Sequence, residues 1–157
     1  MDCMTQTLLA QAHEPMYFDQ LVAIYDHYTV LKSRIKITIF NNTDTMTNYT
    51  LYIDDDTTSN NTAYVAAQYD TAKTRYEKTQ VAGAITMYAT WDASKMFGPN
   101  PQAQDSLQGT SAANPTEQSY FTIITLDQGL TSGTTIGALV EIDYNCVWDE
   151  YVTTPAS

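Results

Sequence analysis

Basic residues are scarce in this chain of 157 residues, which has 7 lysines and arginines against 18 aspartates and glutamates. The formal net charge of −11 excludes binding of nucleic acid or anionic membrane by bulk electrostatics, so any such contact must be local. No apolar run approaches the length that crosses a bilayer, and residues 1–15 do not have the pattern of a secretion signal. We therefore expect one globular domain with no membrane partner.

Cysteine and histidine are also rare. Cys3 and Cys146 lie near opposite ends of the chain without a CxxC motif, which favours two reduced thiols. His13 and His27 have no second imidazole or cysteine at a metal-ligand spacing. The sequence contains no glycine-rich phosphate loop, nucleophile elbow or HExxH motif, so we expect neither a cofactor nor an enzyme.

The strongest positive signal is the alternation of apolar and polar residues that is typical of β-strands. In "SRIKITIF", three isoleucines alternate with Arg34, Lys36 and Thr38. The same reasoning predicts further strands over residues 49–53, 83–91, 119–129 and 137–152. Only residues 17–25 and 61–69 have helical spacing or caps, and residues 97–118 have the composition of a long irregular loop. This pattern favours an all-β fold, an antiparallel sandwich or barrel with one or two short helices.

Two clusters of charge suggest binding sites. Asp54, Asp55 and Asp56 follow a predicted strand and favour a solvated strand end, and the alternative is that they supply oxygen ligands to calcium. Lys32, Arg34 and Lys36 stand about 7 Å apart on one face of a strand, a spacing suited to phosphates of an extended nucleic acid. The alternative is that these cations keep an exposed strand soluble and pair with carboxylates of neighbouring strands.

Four segments of the chain resemble capsid proteins of circovirus-like small circular single-stranded DNA viruses. The first is "HEPMYFDQLVAIYDHYTVLKSRIKITIFN", with Glu14 in place of the family's usual Gln, the Phe18–Gln20 motif, Tyr25, Tyr28 and Val30, and a basic strand from Ser33. The others are "YATWDASKMFG", "NPTEQSYFTI" and the closing strand "VEIDYNCVW". Their order is kept from about residue 13 to the C-terminus.

The resemblance implies a viral single jelly roll over residues 13–157, preceded by a short segment of residues 1–12. Copies would assemble into a small icosahedral shell around circular single-stranded DNA, with Lys32, Arg34 and Lys36 facing the nucleic acid. It also implies localisation in the virion and, during assembly, in the host nucleus. Residues 1–12 do not match the basic arm and first strand that such proteins carry, and the host receptor is not encoded in any motif.

Assembly requires apolar and aromatic anchors at subunit contacts. The chain has 12 tyrosines, and the candidate anchors in predicted loops are Tyr64, Tyr69, Tyr76, Met96 and Phe97, each of which could instead belong to the core. A rival hypothesis is a secreted or surface lectin or adhesin module that binds sugar through aromatic side chains and calcium at Asp54–Asp56. Sugar-dependent or calcium-dependent thermal stabilisation would favour that rival.

Overall fold

The structure, a computed structural model, describes residues 16–40, 47–55, 62–77, 83–127 and 137–152. The strands in these ranges are β1 (Tyr25–Phe40), β2 (Thr47–Asp54), β3 (Lys73–Glu77), β4 (Ile85–Asp92), β5 (Gln108–Thr110), β6 (Tyr120–Asp127) and β7 (Gly137–Tyr151). The helices are α1 (Phe18–Val22), α2 (Ala63–Ala66) and α3 (Ala93–Phe97), with single 3₁₀ turns at Pro101–Ala103 and Asp105–Leu107. The chain is thus mostly β, and the predicted all-β sandwich is confirmed.

The strands form two antiparallel sheets. In one sheet β4, β5 and β7 all pair with the 16-residue strand β1, and in the other β2 lies between β3 and β6. The two ends of β7 meet opposite ends of β1, because the Val152 amide donates to the Ile24 carbonyl at 2.9 Å and Gly137 lies beside Phe40. β1 therefore organises its sheet.

Within this sheet, β1 shows the predicted alternation. Ser33, Ile35, Ile37 and Ile39 are buried, whereas the residues that alternate with them are more accessible: Lys32 and Arg34 are exposed, and Lys36 and Thr38 are half-buried. Side chains of successive residues in a strand point to opposite faces, so the isoleucines contribute to the core and the cations reach solvent.

All eight residues of β2 are buried, so both faces of this strand are covered. Tyr49 and Leu51 lie on one face, and Tyr52 on the other packs against Tyr69 at a ring-centroid distance of 4.9 Å. Ala66 of α2 is fully buried as well. The segment that contains α2 therefore covers the face of the three-stranded sheet on which Tyr52 lies, which the sequence pattern did not predict.

The described residues divide into two compact units. One unit comprises described residues within 34–90 and 120–143, and the other those up to 33, 91–119 and 144–152. The second unit has an aromatic cluster that joins the start and the end of the described chain: Phe18, Tyr25, Tyr28, Trp148 and Tyr151. Its ring centroids lie 5.2–6.3 Å apart, a distance at which aromatic pairs contribute beyond their buried area.

Several predicted boundaries were wrong. The helix predicted over residues 17–25 ends at Val22, and the strand begins at Tyr25, because residues 27–29 pair with β5. The helix predicted over residues 61–69 is limited to Ala63–Ala66 in the described residues. Residues 97–118 are not wholly irregular, since they contain β5 and two 3₁₀ turns.

The predicted long strand over residues 137–152 is present as β7, but its apolar face is less buried than expected. Val140, Ile142, Tyr144 and Cys146 are half-buried while the residues between them are exposed, so the period is as predicted. Ala138, which was predicted to share the buried face, is exposed. In the described parts of the chain β7 pairs with β1 alone, which leaves it at the edge of its sheet.

Gly109 should be essential for the pairing of β1 with β5. It lies directly opposite Tyr28, whose ring is 1% exposed and packs against Phe18 and Trp148. A methyl group at Gly109 would come within 2.6 Å of Cε1 of that ring, which has no room to move. We expect Gly109→Ala to lower the free energy of unfolding in urea by about 1–3 kcal/mol.

The matched control is Gly137→Ala in β7. There the new methyl group would lie 3.7 Å from the Phe40 carbonyl oxygen, an ordinary contact, so stability should be unchanged or slightly higher. Equal stability of the two variants would show that Tyr28 is not held in place.

Candidate nucleic-acid interface

Lys32 lies on the exposed face of β1 but is paired with a carboxylate. Its Nζ lies 3.0 Å from Oδ2 of Asp92, the last residue of β4. Asp92 also caps α3, since its Oδ1 accepts hydrogen bonds from the Ser94 hydroxyl at 2.6 Å and the Ser94 amide at 3.1 Å. The Ser94 hydroxyl and Lys32 hold the pKa of Asp92 below its ordinary value. The carboxylate is thus fixed in its charged form beside Lys32.

Lys36 is also paired with a neighbouring strand. Its ammonium group donates to the Glu141 carboxylate on β7, and this hydrogen bond raises the pKa of Lys36. Both groups are exposed, and exposed ion pairs contribute little to stability because water and salt screen them. Two of the three predicted nucleic-acid ligands therefore have the carboxylate partners that the alternative hypothesis expected.

Arg34 differs from its two neighbours. Its guanidinium carbon lies 5.0 Å from the ring centroid of Tyr88 on β4, in cation–π geometry. Within the described ranges, no carboxylate lies within ion-pair distance of Arg34. This arginine is held in place by an exposed aromatic ring and keeps its charge available.

Tyr88 also lines a groove that the sequence did not reveal. The groove has a volume of about 380 Å³ and is lined by residues 72–75 and 86–88. Two of these residues, Lys73 and Arg75 of β3, are exposed and, among the described residues, have no carboxylate partner. The hydroxyls of Thr74 and Thr50 lie 3.3 Å apart and attach β3 to β2. We refer to Arg34, Lys73, Arg75 and Tyr88 together as the basic groove.

The basic groove has the composition of a site for single-stranded nucleic acid. Such sites combine cations that contact the phosphates with an aromatic ring on which a base can stack. Lys73 and Arg75 lie two residues apart on a strand, and side chains at that spacing are about 7 Å from each other. The alternating pattern of "KTRYE" could have predicted a short strand with two cations on one face. No feature of the sequence near this segment indicates that it folds close to Tyr88, the ring that Arg34 contacts.

The predicted interface residues occupy different environments. Tyr64 is 67% exposed, and Met96 is 47% exposed with its sulfur 4.0 Å from the Ser119 hydroxyl. Tyr69 packs against Tyr52, and Phe97 is half-buried with its ring 6.5 Å from that of Trp91. The side chain of Tyr76 lies outside the described residues. Tyr64 and Met96 are thus the most exposed of the described candidates, and Tyr69 is 36% exposed.

The predicted calcium ligands are only partly described. Asp54 is buried at the end of β2, where its Oδ1 accepts a hydrogen bond from the Asp55 amide at 3.0 Å. Among the described residues its Oδ2 has no hydrogen-bond partner, and Asp55 is exposed. Asp56 lies outside the described residues. In the parts of the chain that are described, no group of three ligands for a metal forms around these aspartates.

A scan against models of protein families found no match, and neither did searches of curated proteins and of solved structures. In the described ranges no helix is long and apolar enough to cross a membrane.

Cys146 of β7 should react slowly as a nucleophile. Burial raises the pKa of its thiol to about 11 from the ordinary 9.0. At pH 8 the thiolate fraction falls about 100-fold, and only the thiolate attacks a disulfide reagent. Because the folded-state pKa is the higher one, the thiol also contributes stability that is present below pH 9 and lost as the pH rises toward 11.

The measurement is the rate of reaction with Ellman's reagent at pH 8, in a Cys3→Ser variant that leaves Cys146 as the single thiol. The native chain should react about 100-fold more slowly than the chain in urea. Equal rates in the two states would contradict the burial of this side chain.

Proposed function

We propose that this chain is a viral capsid protein, a single jelly roll whose copies assemble into a small icosahedral shell around circular single-stranded DNA. The proposal combines the all-β sandwich with the resemblance to circovirus-like capsid proteins. Its partners would be further copies of itself, the packaged DNA and a host cell-surface receptor. It would act in the virion, after assembly in the host nucleus.

The observation that carries the proposal is the aromatic cluster of the second unit. Phe18 comes from the first motif of the resemblance, Tyr25 and Tyr28 from the paired-tyrosine motif, and Trp148 from the closing strand. Phe18 and Tyr28 each contact Trp148, at 5.6 and 5.5 Å. Motifs more than a hundred residues apart in the sequence thus form one packed site, as expected if they are parts of one structural pattern.

The backbone conformation of Gly98 accounts for the glycine in a second motif of the resemblance. The segment "YATWDASKMFG" resembles the family's element that ends in Lys-x-x-Gly, and here these four residues are Lys95–Gly98, the end of α3 and the residue after it. Gly98 has φ 99° and ψ −178°, a backbone conformation that only glycine adopts without strain. The motif is consistent with a backbone requirement at this position.

The basic groove supports the nucleic-acid part of the proposal. The chain carries a formal charge of −11, yet Arg34, Lys73 and Arg75 lie together around Tyr88 and lack carboxylate partners among the described residues. A local cation cluster is what packaging of DNA by an acidic chain requires. Lys32 and Lys36 remain candidates, because exposed ion pairs are weak enough for a phosphate to replace the carboxylate.

The groove and the paired lysines can be separated experimentally. The variant Lys73→Gln/Arg75→Gln removes two cations that have no carboxylate partner among the described residues. The matched control Lys32→Gln/Lys36→Gln removes two cations that form ion pairs with Asp92 and Glu141. With a fluorescent oligothymidylate, the groove variant should bind more weakly, and the slope of log affinity against log salt should fall by about 1.4 for two lost phosphate contacts. The control should change both quantities less.

Equal losses in the two variants would contradict a specific role for the groove. Unchanged binding in both would contradict this nucleic-acid interface altogether. Fluorescence anisotropy at several salt concentrations measures both quantities on the same samples.

Tyr64 offers the clearest test of the subunit contact. Because its side chain is 67% exposed, Tyr64→Asp should leave the chain folded while it removes an aromatic anchor and places a charge at the contact. We expect monomers in sedimentation velocity under conditions in which the parent chain assembles. Thr90→Asp, at an exposed position of β4, is the control and should assemble normally. Normal assembly of Tyr64→Asp would remove this residue from the interface.

The lectin or adhesin hypothesis has one structural observation in its favour. A groove of about 440 Å³ is lined by Leu31, Lys32, Asp92, Ser94 and residues 99–103, and its size suits a small sugar. The described residues do not complete the calcium cluster around Asp54 that this hypothesis used. We therefore favour the capsid proposal.

A further inference from the structure

Three potential metal ligands converge where β1 begins and β7 ends. They are Asp26 and His27 of β1 and Glu150 of β7. Nδ1 of His27 lies 3.6 Å from Glu150 Oε2 and 3.9 Å from Asp26 Oδ2, and all three ligand atoms lie within 4.8 Å of one another. None of the three side chains has a role in the basic groove or in the aromatic cluster described above.

The backbone around these residues is held by strand pairing. His27 lies opposite Thr110 of β5, and the Val152 amide donates to the Ile24 carbonyl at 2.9 Å, immediately beyond the two strands. Glu150 has φ 56°, unusual for a residue with a side chain, and this locally changes the direction of β7. The ligands are thus presented by two fixed strand ends, not by a long loop.

The distances are those of ligands around a metal. At 3.6 and 3.9 Å, the imidazole nitrogen is beyond hydrogen-bond distance of either carboxylate oxygen. Ligand atoms of a tetrahedral zinc site are about 3.3 Å apart, given bonds of about 2.0–2.1 Å. To reach that spacing, the two distances from His27 Nδ1 would shorten by about 0.3 and 0.6 Å, and the two carboxylate oxygens would approach each other by up to about 1.5 Å, which rotation of these exposed side chains allows.

The charge of the cluster also favours a cation. With a neutral imidazole, Asp26 and Glu150 bring two negative charges together, and within the described ranges no lysine or arginine lies within ion-pair distance of either carboxylate. A divalent ion would balance these charges. One imidazole with two carboxylates suits zinc, whereas calcium and magnesium prefer oxygen ligands alone.

We propose that Asp26, His27 and Glu150 bind one zinc ion, with water completing the tetrahedral coordination, and that the ion fastens the start of β1 to the end of β7. This inference is independent of the capsid proposal, because it concerns the folded chain whether or not the chain assembles. Since the ion would bind the folded state, zinc should raise the melting temperature.

The test is a calorimetric titration of zinc chloride into the full chain after treatment with EDTA and removal of the chelator. We expect one saturable site per chain and a rise in melting temperature with zinc. Cobalt as a probe should give the absorption bands of a tetrahedral complex, and calcium and magnesium should not compete at equal concentration. Loss of a side chain that only hydrogen-bonds to a metal ligand costs about 10–100-fold in metal affinity. His27 would bind the zinc ion directly, so His27→Gln should weaken zinc binding by about 100-fold or more.

The controls address the other zinc-binding side chains. His13→Gln and the double variant Cys3→Ser/Cys146→Ser should bind zinc like the parent, because none of these residues belongs to the cluster. Glu150→Gln provides a second test of the site in case His27→Gln fails to fold, which melting in EDTA would reveal. Absence of saturable binding to the parent, or unchanged binding by both folded cluster variants, would overturn the proposal.

Discussion

The alternation of buried and exposed side chains along β1 is the constraint on which its sheet depends. Three other strands pair with β1, and its isoleucines supply part of the core. A shift of register by one residue would turn Lys32, Arg34 and Lys36 inward, and an unpaired buried charge costs several kcal/mol. The strand is therefore confined to one register. That same register presents the cations at the surface.

The partners of the exposed cations on β1 follow from this register. Neighbouring strands supply Asp92 and Glu141 to two of the exposed lysines, whereas Arg34 stacks on Tyr88 and remains without a carboxylate in the described residues. An acidic chain thus brings three of its seven basic residues together around Tyr88. If the chain is the capsid protein proposed above, this local basic site would hold nucleic acid on a chain whose net charge otherwise opposes such contact.

The sequence predicted the elements that carry their own periodicity and missed those that depend on distant partners. The alternation in residues 33–40 and 137–152 predicted β1 and β7 in part, because one face of each is apolar. β3 was missed, since Lys73–Glu77 is short and its strand conformation follows from pairing with β2. The predicted helix extended into Tyr25, the first residue of β1, because Phe18, Leu21, Val22 and Tyr25 recur at helical spacing.

The candidate sites show the same division. The stripe of Lys32, Arg34 and Lys36 could be read directly from the sequence, because it lies on one strand. The carboxylate partners of the two lysines could not be predicted, because they come from β4 and β7. Lys73 and Arg75 likewise approach Tyr88 only in the folded protein.

Electron microscopy of the purified chain at low and physiological salt, with absorbance at 260 and 280 nm, tests the capsid proposal most directly. Uniform small spherical particles are the predicted result, and a chain that remains monomeric under all of these conditions would contradict it.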